Sequence, residues 1–150
     1  MATEFWKAPD EILTIAKGVI DRHHEDLVDV GIAYLMRSPT AKRNGQEVWG
    51  AASKANAKQQ ALAGEDIRFI IELSSEVWDQ LSPIQRCALI DHELCHCTQE
   101  IDENGEVHYR MCPHDLEEFN DIVGRYGRWN DGVQLFAEQL ELPHLHAVGE

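Results

Sequence analysis

Ser82-Pro83-Ile84-Gln85 leaves the chain least freedom, because each residue in it favours a helix start. A serine can cap the first free amides, proline suits the first helical position, and glutamine three residues on can reach back to the cap. The spacing predicts a helix running from here through His96 to about Glu100. Just upstream, Ile67 to Leu73 (IRFIIEL) is rich in β-branched and aromatic residues and reads as a strand. A strand feeding directly into a capped helix is therefore the centre of the fold.

The other elements arrange around that pair. Pro9 to His23 places Ile12, Leu13, Ala16, Val19 and Ile20 at helical spacing. Val28 to Met36 reads as a strand. Asn44-Gly45 suits a hairpin turn, with Glu47 to Ser53 as the partner strand and an Ala/Lys/Gln-rich loop after it. Asn104-Gly105 marks a second hairpin, between strands near Glu100 to Asp102 and Val107 to Met111. Asp115-Leu116-Glu117-Glu118 has the form of a capping box. It should open a helix with Leu116, Phe119, Ile122, Val123 and Tyr126 on one face, and a last helix should cover Gly132 to Leu142. The expected class is α+β: helices packed on one small, mainly antiparallel sheet, in a single domain over residues 1–150.

The helix that begins at Pro83 carries His92-Glu93-Leu94-Cys95-His96, an H-E-x-x-H pattern. Residues four apart share a helix face, so two imidazoles at this spacing can converge on one zinc ion at about 2.0–2.1 Å each. Glu93 lies roughly 100° around the helix from His92. It is placed to serve a water on the metal rather than to bind the metal itself. Zinc lowers the pKa of such a water towards ~7; Glu93 can take its proton and pass one to a leaving amine. A catalytic site of this kind needs a third protein ligand and an open fourth position. His114 is favoured, because a turn before the next helix could aim it at the pair; Glu118, Glu117 and His108 are the alternatives. Glu100 shares the stripe of His92 and His96, and three ligands in a line along one helix cannot surround an ion.

The residues from Asp91 to Trp129 carry a resemblance. LIDHELCHCTQE followed by MCPHDLEEFNDIVGRYGRW resembles the putative phage metallopeptidase family. It is more distantly similar to the SprT-like minimal zinc peptidases. The resemblance implies a zincin-like fold, zinc ligands at His92, His96 and His114, and a catalytic Glu93. Against the SprT-like pattern, this chain has one more residue before Phe119 and no recognisable DNA-binding or zinc-ribbon tail, which counts against a DNA-associated role.

Charge matters at this point. The 150 residues carry a formal net charge of −14 with only 13 lysines and arginines, which disfavours a phosphate-binding surface. It leaves open an acidic binding module, such as a viral inhibitor or nucleic-acid mimic. A third reading is a non-enzymatic zinc protein, in which a cysteine closes the coordination shell. The expected partner for the peptidase reading is a protein or peptide substrate, with zinc as cofactor. No apolar run reaches the roughly 18 residues of a membrane span, and the N-terminus lacks a signal pattern. The expected setting is cytoplasmic, the host cytosol if the chain is phage-encoded, with Cys87, Cys95, Cys97 and Cys112 reduced.

Several residues have a bland expectation beside the functional one. Asp91 could orient an imidazole or be an exposed helix acid. Tyr109, Arg110 and Tyr126 could donate to an oxyanion, though structural roles are commoner. Cys97, Cys112 and His114 could join in a structural zinc site. His23-His24 and His144-x-His146 are read as solvent-facing, and Trp6, Trp49, Trp78 and Trp129 as core or core-edge residues. If the strand Ile67 to Leu73 were a sheet edge, an extended peptide could add to it.

Overall fold

The computed structural model describes residues 2–145, which divide into two compact units, 2–112 and 113–145. The first unit is built on a four-stranded sheet. Its strands are β1 (Glu4–Lys7), β2 (Ile32–Ser38), β5 (Gly50–Lys54) and β6 (Phe69–Ser74), in the order β1-β2-β6-β5. The β1/β2 and β5/β6 pairs are antiparallel and β2/β6 is parallel. Two small hairpins complete the strands: β3 (Ala41–Arg43) with β4 (Gln46–Val48), and β7 (Cys97–Ile101) with β8 (Val107–Met111). Helices α1 (Asp10–His23), α2 (Ala57–Ala63), α3 (Ser75–Gln80) and α4 (Pro83–Cys95) belong to this unit. The class is α+β with mainly antiparallel pairing, as the sequence predicts.

The continuous apolar run of Ile67 to Leu73 has a physical explanation: its strand is central, not an edge. In β6, Phe69, Ile71 and Leu73 enter the main core, while Ile70 faces a smaller cluster with Ala55 and Ile67. β2 divides the same way, with Ile32, Tyr34 and Met36 on one face and Ala33 and Leu35 on the other. A strand covered on both faces needs apolar residues at every position, so strict alternation is lost. The edge next to it is β5. The main core is closed by Ile12, Ala16 and Val19 of α1, Trp78 of α3, and Leu89, Ile90 and Leu94 of α4.

The helix start at Ser82 forms as expected. Ser82 Oγ accepts from the Gln85 amide at 3.3 Å, and Gln85 Oε1 accepts from the Ser82 amide at 2.9 Å. At the other end α4 stops at Cys95, earlier than its periodicity suggests, with His96 as its C-cap. Pairing of Cys97–Ile101 with Val107–Met111 takes the chain out of the helix there, and Cys97 is buried in the core. Both hairpin turns form: Asn44 and Gly45 have φ of 51° and 78°, the backbone that turn chemistry requires.

Other elements differ from the expectation. The Ala/Lys/Gln-rich segment is helix α2, opened by a capping box between Asn56 and Gln59. Glu47 to Ser53 is not one strand; it breaks at Trp49 between β4 and β5. Strand β1 is short and exposed and carries no strong periodic signal. Of the tryptophans only Trp78 is buried, while Trp6, Trp49 and Trp129 are exposed.

The second unit holds α5 (Asn120–Tyr126) and α6 (Asp131–Leu140). The box expected at Asp115 does not form. Glu118 Oε1 instead accepts from the adjacent Phe119 amide at 2.9 Å, and the helix begins at Asn120. A local side-chain bond has here displaced the capping geometry. α6 is capped by Asn130, whose Oδ1 accepts from the Val133 amide at 2.8 Å. Among the described residues, no helix is long and apolar enough to cross a membrane.

Candidate metal centre

The i, i+4 logic of α4 can be followed row by row. Ile90 and Leu94 are wholly buried, which fixes how the helix is rotated against the sheet. With that row facing the core, His92 and His96 stand on another face, their ring centroids 5.2 Å apart and their planes crossed at 78°. His96 keeps helical backbone angles although it caps the helix, so the four-residue relation survives the helix end.

His96 is held from behind. Its Nδ1 lies 2.6 Å from the Cys112 carbonyl, and the Cys112 amide donates to the His96 carbonyl at 2.8 Å. A carbonyl only accepts, so Nδ1 carries the proton and Nε2 keeps its lone pair. A bond of this kind fixes the tautomer and ring orientation of a histidine when it ligates a metal. The donor set and its support suit a zinc-class ion.

Glu93 sits beside this pair but faces inward. It is only 4 % exposed. Burial pushes its carboxyl above the usual carboxylate range, and His96 pulls it partly back. Its neighbour across the gap is Gly50 at the start of β5. A Cβ on Gly50 would come within 3.0 Å of Glu93 Oε2 and 3.2 Å of Glu93 Cγ. Nothing in the sequence pattern marks Gly50; the requirement appears only once helix and strand are brought together.

Glu93 and His92 also line an open groove of about 390 Å³, whose other walls come from Val48, Trp49 and Gly50 and from Gln85, Ala88 and Leu89 of the helix. Its lining is largely apolar with two ionisable side chains, His92 and Glu93, the usual composition of a ligand site.

A family model described as putative phage metallopeptidase matches residues 3–141. The chain belongs to the putative phage metallopeptidase family. No curated protein matches it. Membership of this metallopeptidase family implies a metal ion and protein substrates, and the His92–His96 pair on α4 suits the first of these.

The other residues singled out in the sequence have the following settings. His108 is engaged by Asp102 at 2.8 Å on the β7–β8 hairpin. Glu100 pairs with Arg110 at 3.3 Å. Tyr109 packs edge-on against Phe69 and under the Arg68 guanidinium, a structural setting. Glu118 is committed to the Phe119 amide. His114 lies two residues beyond Cys112, exposed, in the segment that precedes α5 in the second unit; Glu117 is exposed there too, as is Tyr126 within α5. Cys97 is buried, its thiol pushed up to about 12 chiefly by burial, and Cys112 Sγ contacts Thr98 Oγ1 at 2.7 Å. Asp91 does engage an imidazole, that of His24. That ring is largely buried rather than solvent-facing. His144 is exposed, and His146 lies outside the described residues.

Proposed function

We propose that the chain is a zinc-dependent peptidase in which His92, His96 and His114 hold the ion and Glu93 is the general base. The observation that carries this reading is the pairing of a carbonyl-anchored His96 with a buried Glu93 opening on the same groove as His92. His114 is supported by tether length as well as by the family resemblance. Cys112 is bonded to His96, and two residues span at most ~7 Å, so His114 starts within reach of the pair.

When bound, zinc supplies Lewis-acid polarisation of a peptide carbonyl and acidifies a coordinated water. The chain's own residues do the rest. Glu93, buried beside the pair, is placed to accept a proton from that water, and the same group can return it to the departing amine. The groove walls formed by Val48, Trp49 and Ala88 would seat an apolar side chain of an extended substrate. Trp49 is 46 % exposed, ready to be covered by such a side chain.

Zinc content and digestion of fluorescein-labelled casein test this reading together. Glu93→Gln should keep stoichiometric zinc and lose hydrolysis by at least about 100-fold, the low end for removing a general base. His114→Ala should weaken zinc retention with the fold intact. Undiminished casein digestion by Glu93→Gln would reject the mechanism, and unchanged zinc affinity in His114→Ala would reject the third ligand.

A further inference from the structure

A second group of ligating side chains lies on a different face of α4. Asp91 and Cys95 are four residues apart, offset by one residue, roughly 100°, from His92 and His96. His24, at the C-terminal cap of α1, meets them across the helix pair. Its Nε2 lies 2.5 Å from Asp91 Oδ1, Cys95 Sγ lies 4.0 Å from the same oxygen, and all three donor atoms fall within 4.8 Å of one another.

We propose that His24, Asp91 and Cys95 form a second site for a zinc-class divalent ion, with water in the fourth position. The donor set is one imidazole nitrogen, one carboxylate oxygen and one thiolate sulfur. Thiolate and imidazole suit zinc and its transition-metal neighbours and not magnesium or calcium, which take oxygen ligands. Around a tetrahedral zinc, donors at about 2.0–2.3 Å from the ion lie roughly 3.3–3.7 Å apart. The His24–Asp91 contact is shorter than that and the Cys95 contact slightly longer, so the ion requires Asp91 to withdraw from His24 towards Cys95. That is a side-chain rotation, and Asp91 is 34 % exposed with room to make it. Binding then breaks the His24–Asp91 hydrogen bond and releases the Cys95 thiol proton to water.

The setting distinguishes this triad from the acidic group at the β7–β8 turn. There Asp102 already accepts from the Asn104 and Glu106 amides and from His108, as a turn cap would. His24 is instead a largely buried ring brought to α4 from a residue 67 positions away. An ion at this place ties the end of α1 to the last turn of α4. It braces the helix that carries His92 and His96 without using either of them.

Cobalt(II) is the probe, because thiolate ligation gives it a near-ultraviolet charge-transfer absorption. In the full chain carrying His92→Ala and His96→Ala, one equivalent of cobalt should bind with that absorption, and adding Cys95→Ser should abolish it. His24→Ala should weaken binding by more than about 10–100-fold, the loss usual for an outer-sphere partner alone. Absence of the thiolate absorption, or its survival in Cys95→Ser, overturns the proposal. Should the double histidine variant fail the circular-dichroism check for folding, the same absorption is read in the unmodified chain against Cys95→Ser alone. Identical spectra there overturn it equally. The signal reports Cys95, so failure of the His92–His96 centre would leave this result readable.

Discussion

Gly50→Ala tests the junction between β5 and the motif helix. The added Cβ would lie 3.0 Å from Glu93 Oε2, 3.2 Å from Glu93 Cγ and 3.2 Å from the Glu72 carbonyl of β6. The last is backbone in a paired strand and yields little. The carboxylate is the end of a flexible side chain, so it yields first. Restoring an ordinary contact at Oε2 moves it by about 0.4 Å. Overpacking of this kind costs about 1 kcal/mol, at the lower end because only a side-chain end must shift. Replacing glycine also removes unfolded-state freedom, offsetting roughly 0.4–1 kcal/mol of that. The melting temperature should therefore fall by no more than about 2–4 °C. Activity should suffer more. If a 1 Å misplacement costs about 100-fold, 0.4 Å along the same scale costs roughly sixfold. The assay is kcat on casein-derived fluorogenic peptide, with zinc content and thermal unfolding measured on the same preparation. A folded variant with normal zinc and unchanged kcat would refute the claim that Gly50 leaves room for Glu93. A variant that loses zinc would show that the contact bears on His92 or His96 instead.

Three further outcomes follow from the same geometry. Burial raises the Glu93 carboxyl above its unfolded value, so the folded metal-free chain binds the proton more tightly than the unfolded chain does. Stability then falls as pH rises from the unfolded pKa through the higher folded one. Metal-free Glu93→Gln should match the parent near about pH 4 and exceed it at neutral pH; urea unfolding at both pH values checks this, and a parallel pair of curves would contradict it. Ser82→Ala removes the acceptor for the Gln85 amide and should cost about 1 kcal/mol, seen as a lower urea midpoint with unchanged slope. Ile90→Ala empties a wholly buried position in the main core and should cost about 2–5 kcal/mol in the same experiment.

The elements legible in the sequence were those specified by neighbours along the chain. Ser82 to Gln85 fixed a helix start, Asn44-Gly45 and Asn104-Gly105 fixed two turns, and His92 to His96 marked its own helix face. The features that stayed hidden depend on partners far away in sequence. The end of α4 at Cys95 follows from pairing with Val107–Met111, which no local propensity announces. The central position of β6 needs β2 and β5 on either side, so its apolar run alone could not separate an edge from a middle strand. His24 looked like one of two solvent-facing histidines because Asp91 lies 67 residues on. Gly50 had no signal, since its requirement is the approach of a carboxylate from another element.

The direction in which each polar side chain of α4 faces is consequently governed by its apolar residues. Over its 13 residues the helix offers successive i, i+4 rows: Ile90 with Leu94, Asp91 with Cys95, Leu89 with Glu93, and His92 with the capping His96. Each step between rows is roughly 100° of rotation. Only the first row is completely sequestered, and exposing it would forfeit about 1.5–3 kcal/mol for each side chain. That energy selects one rotation of the helix. Once it is selected, Glu93 must face Gly50, His92 must line the groove, and Asp91 must meet His24. Turning the helix by a single residue would carry Glu93 out of its pocket and put either Leu89 and Glu93 or Asp91 and Cys95 where Ile90 and Leu94 pack. The apolar row therefore sets which side chains can meet a metal, and the ligation proposed for the histidines depends on Ile90 and Leu94 holding them there.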